Sequence, residues 1–496
     1  MTTEMNPIEL EPKGAIEMLD IVEKAPSVND QIDEGPSYTP EESRKVRRKM
    51  DVYILPVLCF MNICAFLDKA NIGNGNTAGM SKDLGITKQQ YNFLLTIFYV
   101  IYTVCQPEML LLKYIPPKFF LTTIVTLWGL TSTLQGITGS YGGMIACRVV
   151  IAALEAGGGP AIAFYFTMLY PREEFGFRWA IFQASSCIAN PSLGKLILIC
   201  THAKTSITPW KLVFIVESTV SSAALIFLLL PSAPDRCAWL SPRENEIARE
   251  RVARSQSKES HGGYSVAGFK AALAEPWTWW IAIIHYCGGM AFNSLSVFLT
   301  AIIKEMGYTS ANAQGLSAPP YLVAYVLAVI VAYYSDKKSI RGGFIGTANL
   351  LGGIGYILVA FVEPRSVRYF ACYVTVIGVY VGQPLMFSWC ANNADTTSKR
   401  AASLVFFLVT GQLGSITGSN VYNDAPKYHK GNSVCAGGLF LSCILCLSGT
   451  YYLKWRNQKK DDKFGVPQLH NGVPVESTTI TVVDENQENP TWRFVY

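Results

Sequence analysis

Twelve apolar runs, arranged in two blocks of six, constrain the fold of this chain more than any other feature of its sequence. Each run is about as long as the roughly 20 residues that an α-helix needs to cross a hydrocarbon core of about 30 Å. We therefore predict an all-α membrane protein whose twelve transmembrane helices form two six-helix bundles. We number the runs spans 1 to 12; they fall at residues 52–76, 91–112, 119–138, 142–169, 179–201 and 210–230, then at 277–302, 314–334, 343–362, 368–391, 401–421 and 434–453.

Composition agrees with a multi-pass membrane protein. Half of the 496 residues are hydrophobic and only 16% are charged, which is unlike a soluble globular chain. The 13 cysteines are scattered, mostly within apolar runs, where Cys behaves as a small hydrophobic residue. We expect no disulfide framework, metal site or cofactor, and the small net charge of +5 gives no indication of nucleic-acid binding. The lipid bilayer is the partner that this composition requires, and nothing in it calls for an oligomer.

Polar stretches divide the chain into five segments. The stretch between the two blocks contains the pattern of a soluble helix, "SPRENEIARERVARS", with Ser241 as its cap and Pro242 at its first position. Both tails lack aliphatic periodicity and are predicted to be disordered. The predicted segments are an N-terminal tail (1–50), a first bundle (51–230), a cytosolic linker (231–276), a second bundle (277–455) and a C-terminal tail (456–496).

Most Lys and Arg residues of the loops fall on the side that the two tails share, in clusters such as "SRKVRRK" before span 1 and "DKKSIR" after span 8. Because basic loops stay in the cytosol, we expect both termini to be cytosolic. The first forty residues are polar and lack the apolar core of a secretory signal peptide. We predict an integral membrane protein of the plasma membrane.

Two six-helix halves joined by a cytosolic loop are typical of transporters built from repeats, in which the halves move around a central site. Channels, receptors and membrane enzymes share the hydropathy but have less reason for this division. An enzyme is not expected, because no paired His, metal-spaced cluster or nucleophile with a base occurs at membrane depth.

Few ionisable residues lie within the spans, and they are the candidate site residues. Each costs about 2.5 to 3.5 kcal/mol at the membrane centre, so such groups usually face the interior of the bundle and mark a pathway. In "CAFLDKANIGNGN" the apolar part of span 1 is too short to cross, so the helix continues through Asp68 and Lys69 and places both within the membrane. In span 4, Arg148 and Glu155 are seven residues apart, which puts both on one face of a helix at about 10.5 Å.

We expect the cations to bind an anionic group of a substrate and the carboxylates to take up and release protons. The alternative is that the two acid–base pairs only neutralise each other as structural elements. Lys195 lies toward the outer end of span 5 and either contributes to substrate binding or extends its ammonium group to the interface. Gly157 to Gly159, followed by Pro160, permit a bend just after Glu155.

At these residues the sequence resembles the major facilitator superfamily and, within it, the fungal allantoate permease family of anion:cation symporters. The resemblance covers about residues 50 to 455. Its segments in the first half are "FLDKANIGN", "CRVVIAALEAGGGPA", "YPREEFGFR" and "LPSAPDRCAWLSPRE". In the second half they are "APPYLVA", "YYSDKKSIRGG", "FSWCANNADTTSKRAA" and "YNDAPKYHKG".

The resemblance implies the major facilitator fold, alternating access and proton-driven uptake of an organic anion. It implies proton coupling at the acids of spans 1 and 4 and substrate binding at their cations. It also implies polar groups near the pathway or its gate at Asn392 or Asn393, and a gating loop after span 8 with Asp336, Lys337 and Arg341. One departure matters: Lys69 stands where the family usually has Arg. An ammonium point charge there replaces a guanidinium that can form bidentate hydrogen bonds to a carboxylate.

The sequence therefore predicts a proton-coupled symporter that imports a small organic anion such as nicotinate, pantothenate, biotin or allantoate. Asp68 and Glu155 are the predicted proton carriers, and Lys69 and Arg148 the predicted substrate-binding residues. Two alternatives remain open: a transporter-like nutrient sensor, and an exporter or uniporter of a small metabolite. The identity of the anion does not follow from the sequence.

Overall fold

The structure is a computed structural model. It describes residues 37–77, 79–106, 108, 111, 115–188, 207–208, 210–212, 214–215, 231, 237–255, 266–338, 340–394, 397–422, 428–465, 469–470, 473–474 and 493–496.

The first half is helical throughout its described part. Spans 1 to 4 and the beginning of span 5 lie in seven helices, whereas the rest of span 5 and most of span 6 lie outside the described residues. The helices are α1 (Pro40–Thr77), α2 (Met80–Asp83), α3 (Lys88–Cys105), α4 (Pro117–Ile137), α5 (Tyr141–Ala156), α6 (Gly158–Leu169) and α7 (Arg172–Ala184).

Local sequence signals fix where these helices begin. Thr87 and Gln90 form a reciprocal capping box at the start of α3, in which each side chain accepts a hydrogen bond from the other residue's main-chain N–H. The Ser140 hydroxyl accepts a hydrogen bond from the Gly143 N–H at the start of α5. Pro117 occupies the first turn of α4, where its missing N–H leaves no hydrogen bond unmade.

The second half contains one long helix for each of spans 7 to 12. Two helices of the linker precede it, α8 (Pro242–Ser255) and α9 (Val266–Ala274), so the linker helix predicted to begin at Pro242 is confirmed. A pair of two-residue strands, β1 (Leu469–His470) and β2 (Val473–Pro474), follows it. The long helices are α10 (Pro276–Glu305), α11 (Ser310–Lys338), α12 (Gly342–Phe361), α13 (Arg365–Asn392), α14 (Thr397–Asn420) and α15 (His429–Phe464).

Nine helices of the described chain are long and apolar enough to cross a membrane. They correspond to spans 1, 3, 4 and 7 to 12. The helix of span 2, α3, is present as well, packed against α5. The described part of the chain therefore has the all-α, multi-span organisation that the hydropathy predicts.

Glycines bring helices of the second half into backbone contact. A Cβ atom at Gly414 of α14 would overlap the carbonyl oxygen of Tyr286 on α10, and a Cβ at Gly418 would overlap that of Met290. Gly378 of α13 meets the main chain of Gly352 on α12 in the same way. Small residues are the usual means of close helix approach within a membrane.

The linker helix α8 is tied to the cytosolic ends of the first half by ion pairs. Arg251 binds Glu174 of α7 at 2.6 Å, and Lys49 of α1 binds Glu244 at 2.7 Å. The Lys49 ammonium, together with the Ser241 main-chain N–H, holds the pKa of Glu244 below its ordinary value. The linker is therefore docked on the first bundle.

The prediction that the C-terminal tail is disordered is wrong for its described parts. Helix α15 continues to Phe464, beyond the predicted bundle end at residue 455, and residues 493–496 make main-chain hydrogen bonds to α12, α13 and α15. Residues 493–496 have no periodicity of their own. They are ordered by contacts with residues that are distant in the sequence.

Candidate functional site

Asp68 lies in the interior of the first half, as predicted. Its residue is 5% exposed. The Ser132 hydroxyl of α4 donates a 2.8 Å hydrogen bond to its Oδ1 atom, and the Asn71 amide lies 3.4 Å from the same oxygen. The Oδ2 atom has no hydrogen-bond partner among the described residues. One oxygen is thus held by α4 while the other is available for a proton or a ligand.

Arg148 and Glu155 are both buried on α5, with exposures of 2% and 6%. The Arg148 guanidinium lies over the ring of Phe98, 5.5 Å from its centroid. Its Nε and Nη2 atoms make no hydrogen bond within the described part of the chain. These two donors are adjacent on one edge of the guanidinium plane, which is the edge that binds both oxygens of a carboxylate.

The three charged groups form one electrostatic cluster. Asp68 lies within coulombic range of both Arg148 and Glu155, and Arg148 within range of both carboxylates. The sequence places these residues on two helices, and the fold brings them together. Among the side chains that the structure describes in this cluster, two carboxylates share one guanidinium.

The helix that carries Arg148 and Glu155 breaks directly below them. Helix α5 ends at Ala156, Gly157 forms a turn, and α6 begins at Gly158, at the glycines where the bend is predicted. A Cβ atom at Gly157 would lie 3.1 Å from Oε2 of Glu108. Glu108, which follows α3 in the sequence, therefore packs against Gly157. Gly157 lies two residues after Glu155.

Other predicted binding residues are placed differently. Lys69 belongs to α1, but its side chain and all of Lys195 lie outside the described residues. Asn392 and Asn393 are buried at the cytosolic end of α13. The Asn393 amide binds the main chain of Val495, with hydrogen bonds of 2.9 and 2.8 Å.

Two of the three predicted gating residues meet the first half. Arg341 Nη2 lies 2.7 Å from Asp336 Oδ1, and this pair faces Gly176 of α7, where a Cβ atom would lie 2.6 Å from both groups. The Phe177 main chain, also on α7, lies close to the Asp336 carboxylate. The third residue, Lys337, has an exposed side chain. The contact closes the halves against each other at the end where α7 begins.

Aromatic residues close the halves at the same end. The Trp179 ring of α7 stacks on Phe387 of α13 with 4.1 Å between centroids. Phe177 meets Tyr333 of α11 edge to face at 6.0 Å. Together with the Asp336–Arg341 pair, these contacts form what we call the cytosolic gate, after the side on which the basic loops predict this end to lie. The gate consists of Gly176, Phe177, Trp179, Tyr333, Asp336, Arg341 and Phe387.

A second set of contacts crosses between the halves closer to the charged cluster. The Tyr99 hydroxyl of α3, which lies within coulombic range of Arg148, donates a 2.7 Å hydrogen bond to Asn293 Oδ1 of α10. Next to Asn293, Phe292 meets Phe66 of α1 edge to face at 5.9 Å and lies 4.6 Å from Tyr380.

These aromatic and amide residues are absent from the sequence-based candidates. They are common residue types in apolar helices, and no local pattern separates them from packing residues. Their contacts with each other appear only once helices from different halves are packed together.

Comparisons with known proteins agree with this architecture. The sequence profile of the Major Facilitator Superfamily matches residues 58–419. The chain is 28% identical to the high-affinity nicotinic acid transporter of Saccharomyces cerevisiae over 94% of this chain and 87% of that protein. It is also 28% identical to an uncharacterized transporter of Schizosaccharomyces pombe over 93% of this chain and 92% of the relative.

Solved structures share the fold at low sequence identity. The proton:xylose symporter XylE superimposes with a TM-score of 0.65 and 10% identity, covering 82% of this chain and 96% of that one. The Escherichia coli fucose:proton symporter FucP gives a TM-score of 0.55 at 15% identity, covering 79% of this chain and 99% of that one.

Proposed function

The chain belongs to the Major Facilitator Superfamily, and on that premise we propose that it is a proton-coupled symporter that imports a small organic anion by alternating access. One observation carries the proposal: a buried arginine presents two adjacent donors that make no hydrogen bond to any described residue, beside two buried carboxylates. A buried cation with an open, paired donor edge suits a carboxylate ligand and has little value as a packing element.

Substrate binding follows from the donor geometry of Arg148. A substrate carboxylate accepts two parallel hydrogen bonds from Nε and Nη2, and low local polarity strengthens both of them. Lys69 is a second cation on the neighbouring helix α1 and is proposed to act as a point charge for the same group. Lys195 and the amides of Asn392 and Asn393 are proposed as secondary polar contacts along the pathway.

Proton coupling is assigned to Asp68 and Glu155. When a substrate carboxylate occupies Arg148, three negative groups compete for the cations, and a proton on one carboxylate restores the balance. Substrate and proton therefore bind together on the outside and leave together on the inside. No covalent step is required.

Aromatic residues near the charged cluster suit a substrate that carries a ring. Tyr99 lies within coulombic range of Arg148 and hydrogen-bonds to Asn293, next to which Phe292 contacts Phe66 and Tyr380. A flat heteroaromatic acid can stack on such surfaces while its carboxylate binds Arg148. The similarity to a nicotinic acid transporter points in the same direction, so nicotinate-like acids come before pantothenate, biotin and allantoate in the order of testing.

We also propose that the protein resides in the plasma membrane with both termini in the cytosol. The basic clusters in the first turns of α1 and at the end of α11 support this orientation, as does the basic linker helix α8.

Currents from reconstituted protein test the function. Protein in liposomes is exposed to nicotinate, pantothenate, biotin and allantoate, with and without an inward proton gradient. We expect internal acidification that needs both an anion and the gradient, with the largest response to a ring-bearing acid. Anion flux that ignores the gradient would support a uniporter or exporter instead. Saturable binding without flux would support a sensor.

A further inference from the structure

The last four residues of the sequence, 493–496, lie in a groove on the cytosolic end of the second half. They are not helical, and their main chain is bound like that of an added strand. The Asn457 amide exchanges two hydrogen bonds of 2.9 Å with the main chain of Phe494. The Asn393 amide does the same with the next residue, Val495, at 2.9 and 2.8 Å. Two asparagine side chains therefore bind the main chains of two successive residues.

Two further donors complete the main-chain recognition. The Trp389 indole N–H donates to the Val495 carbonyl at 2.9 Å, and the Arg341 main-chain N–H donates to the Tyr496 carbonyl at 2.8 Å. Arg341 immediately precedes α12, where the first N–H groups of a helix lack internal partners. The segment thus satisfies polar groups at one end of the second half.

Side chains of the segment fit the groove as well. Phe494 is only 7% exposed and lies under two cations of α15, with Arg456 at 4.7 Å and Lys460 at 5.3 Å from its ring centroid. Arg493 binds Asp461 at 2.8 Å, and the Tyr496 ring receives Lys454 at 4.8 Å.

The groove is built from residues next to the cytosolic gate. Arg341 binds the segment through its main chain while its side chain pairs with Asp336 against Gly176 of the first half. Trp389 binds the segment two residues after Phe387, which stacks on Trp179 of the first half. The segment therefore connects the cytosolic ends of α12, α13 and α15 at the point where two of them meet α7.

We propose that residues 493–496 are a latch that holds the cytosolic gate closed and has to leave its groove before the central site opens to the cytosol. The groove is a binding surface for an extended peptide of the pattern Arg-Phe-Val-Tyr. The latch concerns the opening of the gate, so it depends neither on the identity of the substrate nor on proton coupling. Loss of the segment is expected to free the end of α13 from its arrangement against α7.

Reactivity of a native cysteine reports the position of the gate. Cys390, adjacent to Trp389, is 2% exposed in the latched state, whereas Cys372 is buried near the opposite end of the same helix. In lipid nanodiscs, alkylation of each cysteine by a maleimide is followed by peptide mass spectrometry. The test variant is Arg493→Ala with Phe494→Ala. The matched control is Val495→Ala, which keeps every main-chain hydrogen bond of the segment.

We expect alkylation of Cys390 to be at least fivefold faster in the double variant and unchanged in Val495→Ala, with Cys372 unaffected in both. A synthetic peptide of residues 489–496 added in trans should restore protection of Cys390, and the same peptide with Phe494→Ala should not. Unchanged reactivity of Cys390 would overturn the latch. An equal rise at Cys372 would also overturn it, because a latch acts only on the cytosolic end.

Discussion

At the scale of single residues, the proposed binding of a substrate carboxylate depends on the shape of the Arg148 guanidinium as well as on its charge. Its unbonded Nε and Nη2 atoms form a rigid two-donor edge within a buried site. A lysine at the same position would keep the charge but would lack this edge, because an ammonium is a compact point charge.

Arg148→Lys is therefore expected to weaken binding of the transported acid by at least about tenfold, which corresponds to about 1.4 kcal/mol. Calorimetric titration of the purified protein measures this change. Arg365→Lys is the control, since that arginine lies over Tyr308 at the start of α13, away from the charged cluster. Equal affinities of Arg148→Lys and the unmodified protein would exclude bidentate binding.

Tyr99→Phe removes the hydroxyl that joins α3 to Asn293 of the opposite half. The change leaves the Asn293 oxygen without that donor, and an unsatisfied buried acceptor costs about 1 to 3 kcal/mol. We expect a lower thermal unfolding temperature in nanodiscs, measured by intrinsic fluorescence. Tyr141→Phe is the control, because its hydroxyl makes only a 3.4 Å contact with a main-chain oxygen. A Tyr99→Phe variant as stable as this control would show that the bond does not hold the halves together.

Charged residues were predictable at this scale and aromatic ones were not. Asp68, Arg148 and Glu155 are conspicuous because charge within an apolar span is costly, and the structure places all three in one cluster. Their roles in transport stay predictions. Tyr99 and Phe292 give no such signal, since an aromatic residue in an apolar helix is usual and its relation to the site depends on how two distant helices pack.

At the scale of elements, the contact between α10 and α14 depends on glycine. Gly414→Ala would place a methyl group against the carbonyl oxygen of Tyr286. Because both groups belong to helix main chains, neither can move away without a loss of stability. Overpacking of this kind costs about 1 to 3 kcal/mol. We expect a lower unfolding temperature for Gly414→Ala and no decrease for Gly437→Ala in α15, where an added Cβ meets nothing within 4 Å. Equal stability of the two variants would contradict the close approach of these helices.

Periodicity and capping signals predicted the elements well. The linker helix begins at Pro242, and the interruption of span 4 falls at Gly157, because both positions depend on local backbone chemistry. The C-terminal segment could not be predicted, since its order comes from Asn393, Asn457 and Trp389 on two separate helices. Nothing within the segment itself predicts a fixed conformation.

At the scale of the whole molecule, the contact between the two halves at the cytosolic gate depends on Gly176, because a side chain there would collide with the Asp336–Arg341 pair. Gly176→Ala would place a Cβ atom 2.6 Å from both members of the Asp336–Arg341 pair. The pair can move, but only by giving up its contact with α7. We expect faster amide hydrogen exchange in α7 and around Asp336, measured by mass spectrometry. Gly139→Ala, with no atom within 4 Å of the added Cβ, should leave the exchange unchanged.

Exchange in Gly176→Ala at the rate of the Gly139→Ala control would show that the Asp336–Arg341 pair does not keep the gate closed. Faster exchange confined to α7 and the Asp336 region would indicate opening of the gate rather than a general loss of stability. The same variant therefore separates a local from a global effect.

Proton coupling by the buried carboxylates is the central claim, and Glu155→Gln in proteoliposomes tests it most directly. The amide keeps the size of the side chain but cannot release a proton. With a transported acid identified, the account predicts that exchange of labelled for unlabelled substrate continues, while accumulation driven by an inward proton gradient is lost. Accumulation at the rate of the unmodified protein, still dependent on the gradient, would contradict the assignment of Glu155.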